Sequence, residues 1–234
     1  MIVSIHQPNY LPWMGLIKKI EASDIFVVFD DVQLPRGKSY TIRTKIKTNG
    51  GAKWITVPIL GKSDLVTIKE IKINNDTNWW EQHWNKIEEN YKNAPFFYDN
   101  QQVFKDIIFS KSEYLVDLNL ELIKAILNNL KIKTKIVRAS EFLIDSSGTQ
   151  KIIELVKKVG ADEYISGEGE GSKRYVLNNK ELFEKNEIKI KTLTFTHPIY
   201  SQLHGKFVPN LSILDAIFNL GPEDTLKKIK QDED

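Results

Sequence analysis

The residues whose types could carry chemistry fall at similar places in the chain. His6-Gln7 follows the β-branched run 2–5, Asp30-Asp31 follows the apolar run 25–29, Ser166 to Gly171 follows the run 163–165, and His197 follows the run 190–195. In open α/β sheets ligands bind beyond the carboxyl ends of parallel strands. If these four runs are neighbouring parallel strands, the four clusters converge on one cleft. An imidazole can act as acid, base or ligand near neutral pH, so His6 and His197 are both candidates for a catalytic base. The competing role for His6 is structural, fixing the loop that holds Pro8 and Pro12. Asp30 and Asp31 suit a divalent metal, the orientation of His6, or a sugar hydroxyl; an ordinary turn after a strand uses the same residue type.

Binding candidates surround these groups. Gln7, Asn9 and Tyr10 share the N-terminal segment with His6, and Gln33 follows the Asp doublet. Two alternating runs within 39–59, separated by Asn49-Gly50-Gly51, predict a β-hairpin. Strand alternation puts Arg43, Lys45 and Lys47 on one face. Three cations in a row suit a diphosphate, although charges on the outer face of a hairpin also serve solubility alone. Ser166 and Gly167 open a glycine-rich segment that is either a backbone cradle for an anion or a flexible loop. It is neither a Walker loop nor G-x-G-x-x-G, and its glutamates would repel phosphate. Tyr175, Tyr200 and Gln202 complete the set. His197 and His204 are seven residues apart, which matches no metal-ligand spacing, and no metal site is expected. His83, on an aromatic-rich helix, reads as structural or surface.

These side chains need a scaffold. Strand 2–5, a helix over 13–22 and strand 25–29 form a βαβ unit. Within that helix Leu16, Ile17 and Ile20 form the apolar face and Lys18 and Lys19 the polar one. The expected fold is α/β: a parallel-sheet, Rossmann-like core with an inserted hairpin and a middle helical segment over about 78–130. A strand at 135–137 and a helix over 148–159 follow. Residues 210–219 predict a buried helix capped by Asn210 and stopped by Gly221-Pro222. The expectation is a single domain over 1–221 and a charged tail over 222–234 that frays over 227–234.

Composition narrows the class. With 234 residues, 41% hydrophobic and 27% charged, the chain can bury a core unaided. Its net charge of +2 gives no global pull toward nucleic acid or anionic membrane. The absence of cysteine removes thiolate nucleophiles and favours a cytoplasmic setting. Neither a signal peptide nor a membrane span is read from the sequence.

IHQPNYLPWMG at 5–15, DIFVVFDDVQ at 24–33, the Arg-x-Lys-Ile-Lys ribbon at 43–47, and the segment 197–221 together resemble the WbqC-like family of bacteria. The resemblance implies an enzyme of surface-polysaccharide (O-antigen, lipopolysaccharide) assembly. The implied activity is transfer of an acyl or aminoacyl group, such as glycyl, to the amine of a nucleotide-linked amino sugar. The donor is open: an acyl-CoA, a carrier-bound acyl group or an aminoacyl group, in which case an aminoacyl-tRNA is the one nucleic-acid partner expected. Two other readings stand beside it. One is an ATP- and magnesium-dependent adenylyl- or ligase-type enzyme on the same core, and the other a non-catalytic partner that binds a sugar nucleotide.

Overall fold

The fold is described from a computed structural model over residues 1–34, 39–61 and 66–231. In chain order it contains β1 (Ile2–His6), α1 (Met14–Glu21), β2 (Ile25–Val28), β3 (Arg43–Thr48), β4 (Gly51–Thr56), α2 (Trp79–Tyr91), α3 (Phe97–Phe109), α4 (Leu115–Asn129), β5 (Lys135–Arg138), α5 (Gly148–Lys158), β6 (Glu163–Ser166), α6 (Glu170–Tyr175), α7 (Lys180–Lys185), β7 (Lys189–Thr192) and α8 (Ile213–Lys230). The described residues group into two compact units. One comprises Met1–Gln7, Lys18–Asp31 and Lys133–Phe195, and the other Pro8–Ile17, Val32–Ile132 and Thr196–Asp234.

The first unit is a five-stranded, all-parallel sheet in the order β5-β2-β1-β6-β7. β2 reads as a continuous apolar run because parallel strands are covered on both faces, and all four of its residues are buried; β1 is likewise apolar apart from Ser4 and His6. One face packs Val3, Ile5, Ile25, Val27 and Tyr164 against Ile152, Leu155 and Val156 of α5 and Phe183 of α7. By order of appearance the strands run 3-2-1-4-5, the Rossmann-like arrangement, whose order reverses between β1 and β6. The carboxyl ends of those two strands carry His6 and Ser166.

In the second unit β3 and β4 form the expected hairpin, with Thr48 opposite Gly51 around Asn49-Gly50. Gly51, at φ +92, takes a backbone conformation that a side chain disfavours. The helical segment includes α3, which was not separately legible because Asn100 interrupts its apolar stripe. Asn100 is buried and bonded to Phe96 O at 2.8 Å and to Asn129 at 2.8 Å. Phe218 of α8 closes this core against Tyr91, Phe97 and Phe104.

The C-terminal expectation needs correction. Gly221-Pro222 stops the first helical segment of α8 as expected, with Gly221 at the non-helical φ 77, ψ 167, but a second segment follows and runs to Lys230. Proline is favoured in the first turn of a helix, so the dipeptide ends one helical segment and starts the next. Residues 222–230 are therefore not a tail, since Thr225 and Ile229 are fully buried; residues 232–234 lie outside the described ones. The cap is Ser212, whose Oγ accepts from Leu214 N, and not Asn210. A Cβ on Gly221 would lie 3.0 Å from two ring carbons of Phe96. Gly221→Ala is expected to cost about 1–3 kcal/mol, as residues forced into glycine-only backbone regions do. A melting temperature unchanged in Gly221→Ala would show that the kink is not strained in this way.

No helix among the described residues is long and apolar enough to cross a membrane.

Candidate functional site

His6 ends β1 half-buried at the reversal point of the sheet. Its Nδ1 lies 2.7 Å from the carbonyl of Gln7. A carbonyl only accepts, so Nδ1 donates and the neutral ring keeps its lone pair on Nε2. Burial, reinforced by the charge of Lys19, lowers the pKa of His6 to about 4. The ring is consequently neutral at physiological pH. Lys19 is not on a solvated face as helical periodicity suggested. Both Lys18 and Lys19 are buried, and Lys19 Nζ donates to Ile5 O at 2.9 Å.

The Asp doublet is committed to protein cations. Asp30 is fully buried and accepts from Arg138 Nε at 2.7 Å, Ser140 N at 3.0 Å and Ser140 Oγ at 2.8 Å. It ties the end of β2 to the end of β5. Asp31 pairs with Lys151 of α5 at 2.7 Å, and Lys151 also donates to Ile144 O at 3.1 Å. The other Asp31 oxygen, Oδ1, is buried without a hydrogen-bond partner. A magnesium ion at this doublet would have to displace Arg138 and Lys151. Among the described residues no group of three or more His, Asp or Glu is placed to hold a metal.

Beyond β6 the chain is neither a long loop nor an extended cradle. Ser166 is buried with its hydroxyl donating to Gly167 O at 3.1 Å, and the short helix α6 begins at Glu170. Gly167 is half-buried. Tyr175, at the end of α6, lies beside Gly148, where an added Cβ would touch its ring at 3.7 Å. Its position covers the start of α5.

The remaining candidates belong to the second unit. Arg43, Lys45 and Lys47 do not share one environment. Arg43 and Lys45 lie over the ring of Trp54, at 3.9 Å and 5.0 Å from its centroid, whereas Lys47 is buried. Lys47 Nζ donates to Gln202 Oε1 at 3.1 Å and Lys206 O at 2.7 Å. The centre of this network is Asp215, a fully buried carboxylate that accepts from Tyr91 OH at 3.0 Å, Tyr200 OH at 2.8 Å and Gln202 Nε2 at 2.8 Å. Burial pushes the Asp215 carboxyl up, against the hydrogen bonds of Tyr200 and Tyr91 and the charge of Lys47. Tyr200 and Gln202 thus bind protein, joining β3, α2, α8 and the 196–212 segment.

His197 also belongs to the second unit. It follows β7, which ends at Thr192. His197 is half-buried beside Tyr200 and Phe207, with ring centroids 6.0 Å and 5.5 Å away, and burial lowers its pKa. Tyr10 is fully buried with its hydroxyl 3.0 Å from His83 Nδ1, which makes His83 a core residue. Asn9 is buried, and Gln33 is exposed and forms a bridge with Thr67.

Sequence reasoning missed Lys19, Arg138, Ser140 and Lys151 around the sheet edge. Arg138 ends the strand Lys135–Arg138, as His6 and Ser166 end theirs, and that shared position was the available signal. Nothing local marked Lys19 or Lys151, because a lysine reads as solvated until its partner is known.

Comparison with known proteins agrees with the resemblance carried by the motifs. The sequence model of the WbqC-like protein family matches residues 7–227. The chain is 32% identical over 224 residues to the uncharacterized protein Rv1507c of Mycobacterium tuberculosis, covering 94% of each chain. No solved structure matches it. The chain belongs to the WbqC-like protein family.

Proposed function

We propose that this protein is a cytoplasmic enzyme of bacterial surface-polysaccharide assembly that acylates or aminoacylates the amine of a nucleotide-linked amino sugar. The observation that carries the reading is a neutral, half-buried His6 at the β1/β6 reversal of a parallel sheet, where α/β enzymes bind nucleotides. His6 Nε2 takes a proton from the amine as its nitrogen attacks the acyl carbonyl carbon. The new C–N bond forms, the tetrahedral intermediate expels the donor's thiolate or alkoxide, and the imidazolium returns the proton to that leaving group. Asp30 positions Arg138 and Ser140 and takes no part in proton transfer. Asp31 Oδ1 is a buried carboxylate oxygen of this edge with no hydrogen-bond partner. The pairing of both aspartates with cations weighs against a magnesium-dependent ligase at this doublet.

A melting-temperature panel tests the reading, using dTDP-, UDP- and GDP-linked amino sugars, acetyl-CoA, and ATP with magnesium. A specific ligand at a hundred times its Kd adds about 2.7 kcal/mol, which is several degrees for a chain of this size. A shift with one sugar nucleotide, followed by a product in the presence of a donor, is the expected result. A shift confined to ATP with magnesium would replace the proposal by the ligase reading. Sugar-nucleotide binding without turnover on any donor would make the protein a non-catalytic partner.

A further inference from the structure

The ladder between β1 and β6 ends at Ser4 opposite Ile165, while β1 continues beside β2 through His6 opposite Val28. The two strands therefore part where the sheet order reverses. His6 O accepts from Phe29 N at 2.9 Å on the β2 side, and carbonyls of successive residues point to opposite sides of a strand. Ile5 O accordingly faces β6, beyond the last paired residues. Its hydrogen bond comes from Lys19 Nζ at 2.9 Å, and the same ammonium lies 5.7 Å from the centroid of the Tyr164 ring on β6. Lys19 reaches from α1 into the opening and caps the carbonyl that the broken ladder exposes.

This uses one of three N–H donors. Two other buried lysines have carboxylate company: Lys151 pairs with Asp31, and Lys47 is joined to Asp215 through Gln202. Lys19 is 6% exposed, and among the described residues no carboxylate lies at ion-pair distance from it. A buried charge without a partner is costly. Beside the opening stands Gly167, at which an added Cβ would meet only Ser172 Oγ, at 3.8 Å. A ligand can approach the backbone closely there.

We propose that the missing counter-charge is the ligand's: an anionic group, the diphosphate of a nucleotide, seats at the opening between β1 and β6 and accepts hydrogen bonds from Lys19 Nζ. The naming of the anion as a nucleotide diphosphate rests on the proposed function; the anion site itself rests on the strand opening and the unpaired ammonium. Burial lowers Lys19 to about 8 and, with the Lys19 charge, His6 to about 4. A bound anion reverses both tendencies and makes His6 a stronger base when substrate is present.

The test uses inorganic pyrophosphate as the probe, titrated by calorimetry into the intact protein and its Lys19→Met and Lys19→Arg variants. Wild type is expected to bind saturably, Lys19→Met at least tenfold more weakly, and Lys19→Arg within a few-fold of wild type. Absence of pyrophosphate binding to wild type, or equal affinity in a folded Lys19→Met, overturns the inference. Should Lys19→Met not fold, the comparison moves to pH. Wild-type affinity then falls relative to Lys19→Arg as pH rises through about 8, because arginine stays charged; parallel curves overturn the inference. Pyrophosphate binding that depends on Lys19, in a protein that turns over no amino sugar, leaves this site standing and removes the transferase reading. Undiminished turnover and nucleotide affinity in Lys19→Met would remove the site alone.

Discussion

Replacing His6 by alanine is expected to lower turnover of the amino-sugar substrate by roughly a hundredfold or more, with sugar-nucleotide affinity changed only slightly. The proton acceptor is lost while the opening between β1 and β6, the Asp30–Arg138 pair and Lys19 remain. A fall in kcat at nearly constant KM separates loss of a base from loss of a binding contact. The pH profile adds a second check. His6 in the free protein titrates near 4, so kcat/KM should hold down to about pH 5 and not decline through 6.5 as with an unperturbed histidine. Unchanged turnover in His6→Ala would end its role as base, and an acid limb near 6.5 would move that role to another group.

The same shift affects stability. His6 and His83 both have folded pKa values lowered from 6.5 to about 4. The unfolded chain therefore binds more protons between those values. Their contribution is complete above about 6.5 and is lost as pH falls from 6.5 through 4. Low-pH rates accordingly need a parallel melt to show that the protein is still folded.

The largest stability effect is expected at Asp215. Asp215→Ala leaves Tyr91, Tyr200 and Gln202 without their shared acceptor and removes the carboxylate nearest the buried Lys47. Breaking a buried ionic network from one side costs about 3–5 kcal/mol, which lowers Tm by roughly 6–20 °C in a chain of this size. Tyr91→Phe tests one spoke of the network. It removes both the hydrogen bond to Asp215 and the acceptor for Lys47 N at 2.8 Å, so a loss of about 1–3 kcal/mol is expected. Scanning calorimetry of the two variants provides the check. Asp215→Ala melting within a degree or two of wild type would mean that the network contributes little to stability.

What could be read from the sequence was local. The run 25–29 was legible because a strand covered on both faces is largely apolar, and the run 2–5 because it is mostly β-branched. The hairpin was legible because Asn49-Gly50 suits its two-residue turn. The placement of His6 at the end of a strand was legible too. The role of Asp30 was not legible, because its partners Arg138 and Ser140 lie more than a hundred residues away in the chain.

Arg43, Lys45 and Lys47 show the limit within one strand. Alternation puts all three on one side of the ribbon, and Arg43 and Lys45 lie over Trp54. Lys47 instead enters a network completed by Gln202 and Asp215, more than 150 residues later. Likewise Gly221-Pro222 correctly announced a break, while the burial of Thr225 and Ile229 decided that helix resumes after it.

The sequence by itself determined the class of fold, the family and the position of His6 at a strand end, because periodicity, turn chemistry and motif spacing are short-range properties. The tertiary structure decided which charged groups are buried and which of them are paired within the protein. A charge acquires its role from the groups that desolvate or pair it, and here those groups are brought together by strand order rather than by neighbouring sequence.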